Sequence, residues 1–224
     1  MKLEKKQAWL AVAVVLLLII IDQYSKIYVK THFSLGEDVP VFGLDWWRLK
    51  FIENDGMAFG MEFGSKLFLT LFRVFASGAM IWYIGKRIKS GIKTGFLLTL
   101  TFILAGAVGN IIDCMFYGLI FSESPLYGPV ASWVDFGEGY GSFMHGKVVD
   151  MFYFPLFEFD WPSWIPFIGG KHFEFFSAIF NFADACITCG VFAFLLFYRN
   201  ELSQKVKEDE MSNEEESDEK AGEQ

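Results

Sequence analysis

Apolar residues along the chain are gathered into four long runs, at 9–29, 67–85, 96–117 and 175–198. Each comes close to the roughly 20 residues that a helix rising about 1.5 Å per residue needs to cross about 30 Å of hydrocarbon. The pattern therefore predicts four membrane-spanning helices. Two long segments between them, 30–66 and 118–174, are studded with Gly, Pro, Trp and Phe and lack helical periodicity. Within the first, residues 46–53 are aromatic and partly alternating, which predicts a strand, and Asn54-Asp55-Gly56 predicts a turn. Aromatic rings at this density suit a membrane interface, so a small sheet on the membrane surface is expected.

Charge gives these spans a direction. Lys2, Lys5 and Lys6 precede the first run, and Lys86, Arg87, Lys89 and Lys93 lie between the second and third. Basic residues in short loops are retained on the cytoplasmic side, which puts both termini in the cytoplasm and the two long segments outside. The basic start and apolar run also suit a cleaved secretory signal, but the run is longer than a usual signal core and has no small-x-small cleavage site, so it reads as a retained anchor. Most of the formal net charge of −8 belongs to residues 201–224, which are rich in Glu and Asp and lack aromatics. Residues 1–200 are accordingly read as one membrane-embedded domain and 201–224 as an acidic, disordered cytoplasmic tail.

Ionisable groups in hydrocarbon cost about 2.5–3.5 kcal/mol even on a lenient scale, so each one asks for a reason. Asp22 and Lys26, four residues apart near the end of the first run, share a helical face. Asn110 and Asp113 in the third run, and Asn181 and Asp184 in the fourth, are each three apart and also share faces. Helical rise puts Arg73 about 9 Å, and Asp184 roughly 13 Å, inside the outer ends of their runs. The orientation drawn from basic residues places all of these groups in the outer leaflet. Bland readings exist for several: a helix-end ion pair for Asp22 and Lys26, snorkelling for Arg73, and interhelical hydrogen bonding for the two asparagines.

Asp150 approaches the same level from outside, at the end of Gly146-Lys147-Val148-Val149-Asp150 and before an apolar, strand-like or re-entrant run. Irregular backbone at such depth is tolerated only beside protein or a wet cavity. Two facing carboxylates in a partly dry site share one proton, and such a pair activates water and polarises a peptide carbonyl without a metal. His32, His145 and His172 fit no HExxH spacing, and Cys186-Ile187-Thr188-Cys189 is a lone CxxC, so neither a metal nor another cofactor is expected. No glycine loop for nucleotides and no basic stripe for nucleic acid is present. A small proton-coupled transporter or channel is the competing reading, but it requires polar residues through both leaflets, and the inner halves of the runs carry almost none.

Several of these residues fall in motifs that resemble those of the bacterial lipoprotein signal peptidases, the type II signal peptidases. Asp22-Gln23-Tyr24-Ser25-Lys26 is similar to that family's DxxxK, and the segment from Asn54 through Gly56 to Gly60 to its NxGxAFG. The stretch from Gly106 through Asn110 to Asp113 resembles GAxGNxxDR, Val148-Val149-Asp150 resembles VVD, and Phe180-Asn181-Phe182-Ala183-Asp184 resembles FNxAD. The resemblance implies a mainly α membrane protein, a four-helix bundle with a small extracytoplasmic β-cradle. It implies an aspartic endopeptidase of the bacterial inner membrane, with Asp150 and Asp184 as the catalytic dyad. The implied substrate is a prolipoprotein carrying a diacylglyceryl-cysteine, cut just before that cysteine. Asp22, Lys26, Asn54, Gly56, Asn110, Asp113 and Asn181 would bind substrate or support the site. Membrane lipids are the other expected contact, and a monomer is expected. One departure matters: the arginine that ends the third motif is Cys114 here, and Arg73 is the residue expected to replace it. Residues 118–147 and 155–174 are also longer than the family pattern, which suggests elaborated outer loops.

Overall fold

The computed structural model describes residues 2–54 and 66–201. Gly56 and the turn expected at 54–56, beyond Asn54 itself, lie outside the described residues, as does the tail from 202 onward. Four helices long and apolar enough to cross a membrane run over Lys2–His32, Lys66–Lys89, Thr94–Ile120 and Phe182–Glu201. The protein is membrane-embedded. In the third helix, 61% of the apolar window is buried inside the protein against 17% in each of the others, so this helix is the axis around which the bundle packs. Gly106 lets the fourth helix approach it closely, because a Cβ there would lie 2.2 Å from the carbonyl oxygen of Ala183.

The segments between the first and second and between the third and fourth helices build two antiparallel sheets. Strands β1 (Asp38–Val41), β2 (Leu44–Asn54), β3 (Val148–Tyr153) and β6 (Ile179–Phe180) form the larger, in the order β1-β2-β3-β6. Strands β4 (Phe157–Asp160) and β5 (His172–Phe175) form a separate two-stranded ribbon. Strand β3 is buried on both faces, from Val148 to Met151. Its fully buried members pack with Val29 of the first helix, Tyr117 of the third and Phe121 beyond it, which joins the sheet to one end of the bundle. The strand expected at 46–53 is thus found within β2, and the run after Asp150 is a strand.

The fourth apolar run is where the structure departs from the sequence pattern. Its first residues, up to Phe180, are strand and turn, and the helix begins only at Phe182. Asn181 is the helix N-cap, and Asp184 occupies the third helical position, where the two form a reciprocal capping box. Asp184 is therefore about 3 Å, not 13 Å, from the outer end of its helix by rise. Hydrophobicity alone cannot separate a buried strand from a helix, so the expected depth was an artefact of joining β6 to the helix. At the other end, Glu201, expected to begin the tail, is still helical and pairs with Lys93 and Arg87.

Candidate active site

Lys26 is the charged centre of the end of the bundle that meets the sheet, with no exposed surface. Its ammonium forms ion pairs with Asp22 at 2.9 Å and Asp113 at 2.7 Å, and donates to Asn110 Oδ1 at 2.8 Å. A buried ammonium is tolerable only when it is fully paired in this way. The four-residue step from Asp22 to Lys26 brings them together on one face of the first helix, and the three-residue step from Asn110 to Asp113 does the same on the third. Asp22 extends the network to the fourth helix, where its Oδ1 accepts the backbone N–H of Ala183 at 2.9 Å. Gln23, which the sequence did not single out, fastens the first helix to the third by donating to the Gly109 carbonyl and to Asp113.

Asn110 passes the connection outward. Its amide nitrogen donates to Asp184 Oδ1 at 2.8 Å, while its oxygen accepts from Lys26 and from Asn181. Asn181 then reaches both aspartates. Its Nδ2 donates to Asp150 Oδ1 at 2.6 Å, and its Oδ1 accepts the backbone N–H of Asp184 at 2.9 Å. Register explains the first contact: Phe152 faces Phe180 across β3 and β6, so the next step along each strand brings Asn181 alongside the end of β3 that carries Asp150. Asn54, at the end of β2, donates to the other oxygen of Asp150. Asp150 is almost fully buried, and burial, reinforced by the nearby Asp184 charge, pushes its carboxyl up to about 7.

The route of β3 into this site depends on a widened turn in the third helix. Residues Asp113–Tyr117 are π-helical, and the backbone N–H of Gly146 donates to the Cys114 carbonyl at 2.8 Å. A Cβ at Gly146 would lie 2.1 Å from the Asp113 carbonyl oxygen, so only glycine allows this approach. Four residues later the chain delivers Asp150. Arg73, on the second helix, points a guanidinium nitrogen at Cys114 Sγ, 3.9 Å away. The structure thus brings together Asp22, Lys26, Asn110, Asp113, Asn181, Asp184, Asp150 and Asn54, with Arg73 at their edge.

A second buried cluster escaped the sequence reading. Lys30 pairs with Glu53 and donates to Ser124 Oγ at 3.0 Å, while Lys147 lies 3.7 Å from Glu53. This ties the first helix, β2 and the long outer segment together beside Asn54. The signal was present, since Lys30 continues the four-residue step from Asp22 and Lys26 on the buried face. Cys114, Cys186 and Cys189 form no disulfide.

Among known families, the model described as signal peptidase (SPase) II matches residues 14–199. A lipoprotein signal peptidase of Porphyromonas gingivalis is 48% identical over 198 residues, covering 88% of this chain and 86% of that protein. One from Amoebophilus asiaticus is 34% identical over 208 residues, covering 90% and 83%. A solved bacterial membrane enzyme superposes with a TM-score of 0.56 at 20% identity, over 87% of this chain and 90% of that one, which is a likeness of fold.

Proposed function

The chain belongs to the signal peptidase II family, and from that premise we propose that it removes signal peptides from prolipoproteins with Asp150 and Asp184 as its catalytic pair. The observation that carries the assignment is the Asn181 side chain, which holds Asp150 through its Nδ2 and the Asp184 backbone through its Oδ1. The Asp150 carboxyl takes the Asn181 side chain and the Asp184 carboxyl takes the Asn181 backbone N–H, and two carboxyls gathered around one residue cannot both ionise easily, so they keep one proton between them.

That sharing supplies both halves of peptide hydrolysis. The ionised carboxylate takes a proton from water, and the water oxygen bonds to the scissile carbonyl carbon while the protonated partner donates to the carbonyl oxygen. Collapse of the tetrahedral intermediate breaks the C–N bond: the leaving amine takes a proton from the pair, one hydroxyl of the intermediate gives its proton back to the pair as the new carboxyl group forms, and the dyad again holds one proton. Asn110 orients Asp184, Asn54 orients Asp150, and the Lys26 cluster fixes the helices that carry them. Arg73 places a positive charge where the family's arginine would stand.

The substrate on this reading is a precursor whose cysteine already carries a diacylglyceryl group, cut immediately before that cysteine. Lys2, Lys5 and Lys6 at one end of the bundle, with Lys86, Arg87, Lys89 and Lys93, favour cytoplasmic termini and an outward-facing dyad in the bacterial inner membrane. Residues 1–200 act as a single peptidase unit, as a monomer among membrane lipids, with an acidic tail behind it. The test is cleavage of a diacylglyceryl-modified precursor by the purified protein and by Asp150→Asn and Asp184→Asn, each first checked for cooperative thermal unfolding. Cleavage that survives either substitution overturns the dyad.

A further inference from the structure

The ribbon formed by β4 and β5 has no place in the proposed mechanism, and its composition is unusual. Its pairing sets Phe157 opposite Phe175 and Phe159 opposite Phe173, while Glu158 faces Glu174 and Asp160 faces His172. One face is therefore wholly aromatic and the other wholly charged. On the aromatic face Phe157 stacks on Phe175 across the ribbon, and Phe159 packs tilted against Phe173. A two-stranded ribbon is marginal in water on its own, so an uncovered aromatic face is a cost that a partner would remove.

The loop at the far end of the ribbon identifies that partner. From Trp161 to Gly170 the sequence reads Trp-Pro-Ser-Trp-Ile-Pro-Phe-Ile-Gly-Gly, with no charged residue, and Asp160 and Lys171 stand on either shoulder. Trp164 is 79% exposed and Phe167 96% exposed. Part of this loop's backbone is paired internally. Pro162 and Pro166 have no N–H, and half of the remaining eight N–H groups, those of Trp161, Ile165, Gly169 and Gly170, are donated within the loop and its shoulders. That pairing lowers the cost of moving the loop from water into a headgroup layer, where water still reaches the other N–H groups. The ribbon is also tethered at the outer end of a membrane-embedded bundle: β3 leads into it, Tyr153 donates to Glu174, and only six residues separate β5 from the fourth helix.

We propose that the loop at 161–170 inserts into the headgroup and upper acyl region of the surrounding bilayer, making the β4–β5 ribbon a second membrane anchor. Trp164 and Phe167 supply the inserted rings, of the type that settles at that depth. Asp160 and Lys171 mark the level of the headgroups. The acidic face of the ribbon turns to water. Because β3 leads into the ribbon and the ribbon leads on to β6, the anchor steadies against the membrane plane the strand that carries Asp150 and the one that ends just before Asn181. This rests on the outward-facing orientation of the bundle proposed above.

The test uses the full chain in lipid nanodiscs and the fluorescence difference between the parent and Trp164→Phe, which isolates Trp164. The expected result is a blue-shifted Trp164 emission that loses more than half its intensity with lipids spin-labelled near the headgroup end of the acyl chain. It should lose less with labels near the chain end and almost none with aqueous iodide. Quenching by iodide without quenching by lipid overturns the proposal. So does shielding that appears only after lipopeptide is added, which would make substrate the occupant, or only with two copies per disc, which would make a second chain the occupant. As a second measurement, Trp164→Asp/Phe167→Asp should keep parent cleavage in detergent micelles and lose cleavage in nanodiscs; equal activity in both also counts against it. Parent cleavage in the same discs reports separately on the peptidase reading.

Discussion

Replacing Asp150 by asparagine should abolish cleavage and, at the same time, make the fold less sensitive to pH. The carboxyl of Asp150 is raised from the ordinary 3.8 to about 7, first by burial and then by Asp184. At about 1.36 kcal/mol per tenfold change in the ionisation constant, this penalty is worth about 4 kcal/mol at neutral pH. The sign follows from proton counting. Between pH 4 and 7 the folded chain holds a proton on Asp150 that the unfolded chain has released, so this group's contribution to stability falls as pH rises across that window. The asparagine variant has no such proton to lose. Its amide does offer only one acceptor where the carboxyl has two, and both Asn54 and Asn181 donate there; one donor left unpaired costs about 1–3 kcal/mol. The net gain at pH 7 is therefore about 1–3 kcal/mol, and near pH 4 the variant should be the less stable protein. Thermal unfolding in detergent from pH 4 to 8 measures both curves. Parallel curves for parent and variant would refute the reasoning, because they would mean that Asp150 ionises as freely in the folded protein as in the unfolded one.

Lys26→Met strands Asp22 and Asp113 as buried carboxylates and should cost about 3–5 kcal/mol, seen as a lower Tm, with Asp113→Asn added on top recovering part of it; an unchanged Tm would mean that the network contributes no cohesion. Gly106→Ala puts a methyl 2.2 Å from the backbone oxygen of Ala183, which has no rotamer to escape by, so stability should drop by about 1–3 kcal/mol and cleavage should fall with it. Arg73→Gln removes the positive charge beside Cys114 and should slow lipopeptide cleavage by about tenfold to a hundredfold, the worth of a charged hydrogen bond, while Arg73→Lys recovers part; parent-like processing by the Gln variant assigns Arg73 no part in the reaction.

The four crossings and their polar stripes were legible because both depend on local periodicity: Asp22 with Lys26, Asn110 with Asp113, and Asn181 with Asp184 lie where a helical turn puts them. What was hidden depended on register between distant segments. Nothing in the sequence pairs Phe152 with Phe180, and without that pairing Asn181 has no reason to meet Asp150. The late start of the fourth helix was also missed, although Asn181 followed three residues later by Asp184 is a helix-start signature that outweighs a continuous apolar run. Its consequence is chemical. Asp184 sits in the first turn of its helix, next to the sheet that carries Asp150, and not two turns further along the helix. The Gly146 approach and the π turn at Asp113–Tyr117 carried no advance signal at all, since a widened turn is chosen by what packs against it.

The bridge made by Asn181 has a further meaning for how the protein comes into being. The residues it gathers are spread from position 22 to position 184, and Asn181 and Asp184 leave the ribosome after every other member of the site. On the proposed pairing, three helices alone carry Asp150 without Asp184 or the Asn181 amide between them, so the site is complete only once the fourth helix has joined the other three.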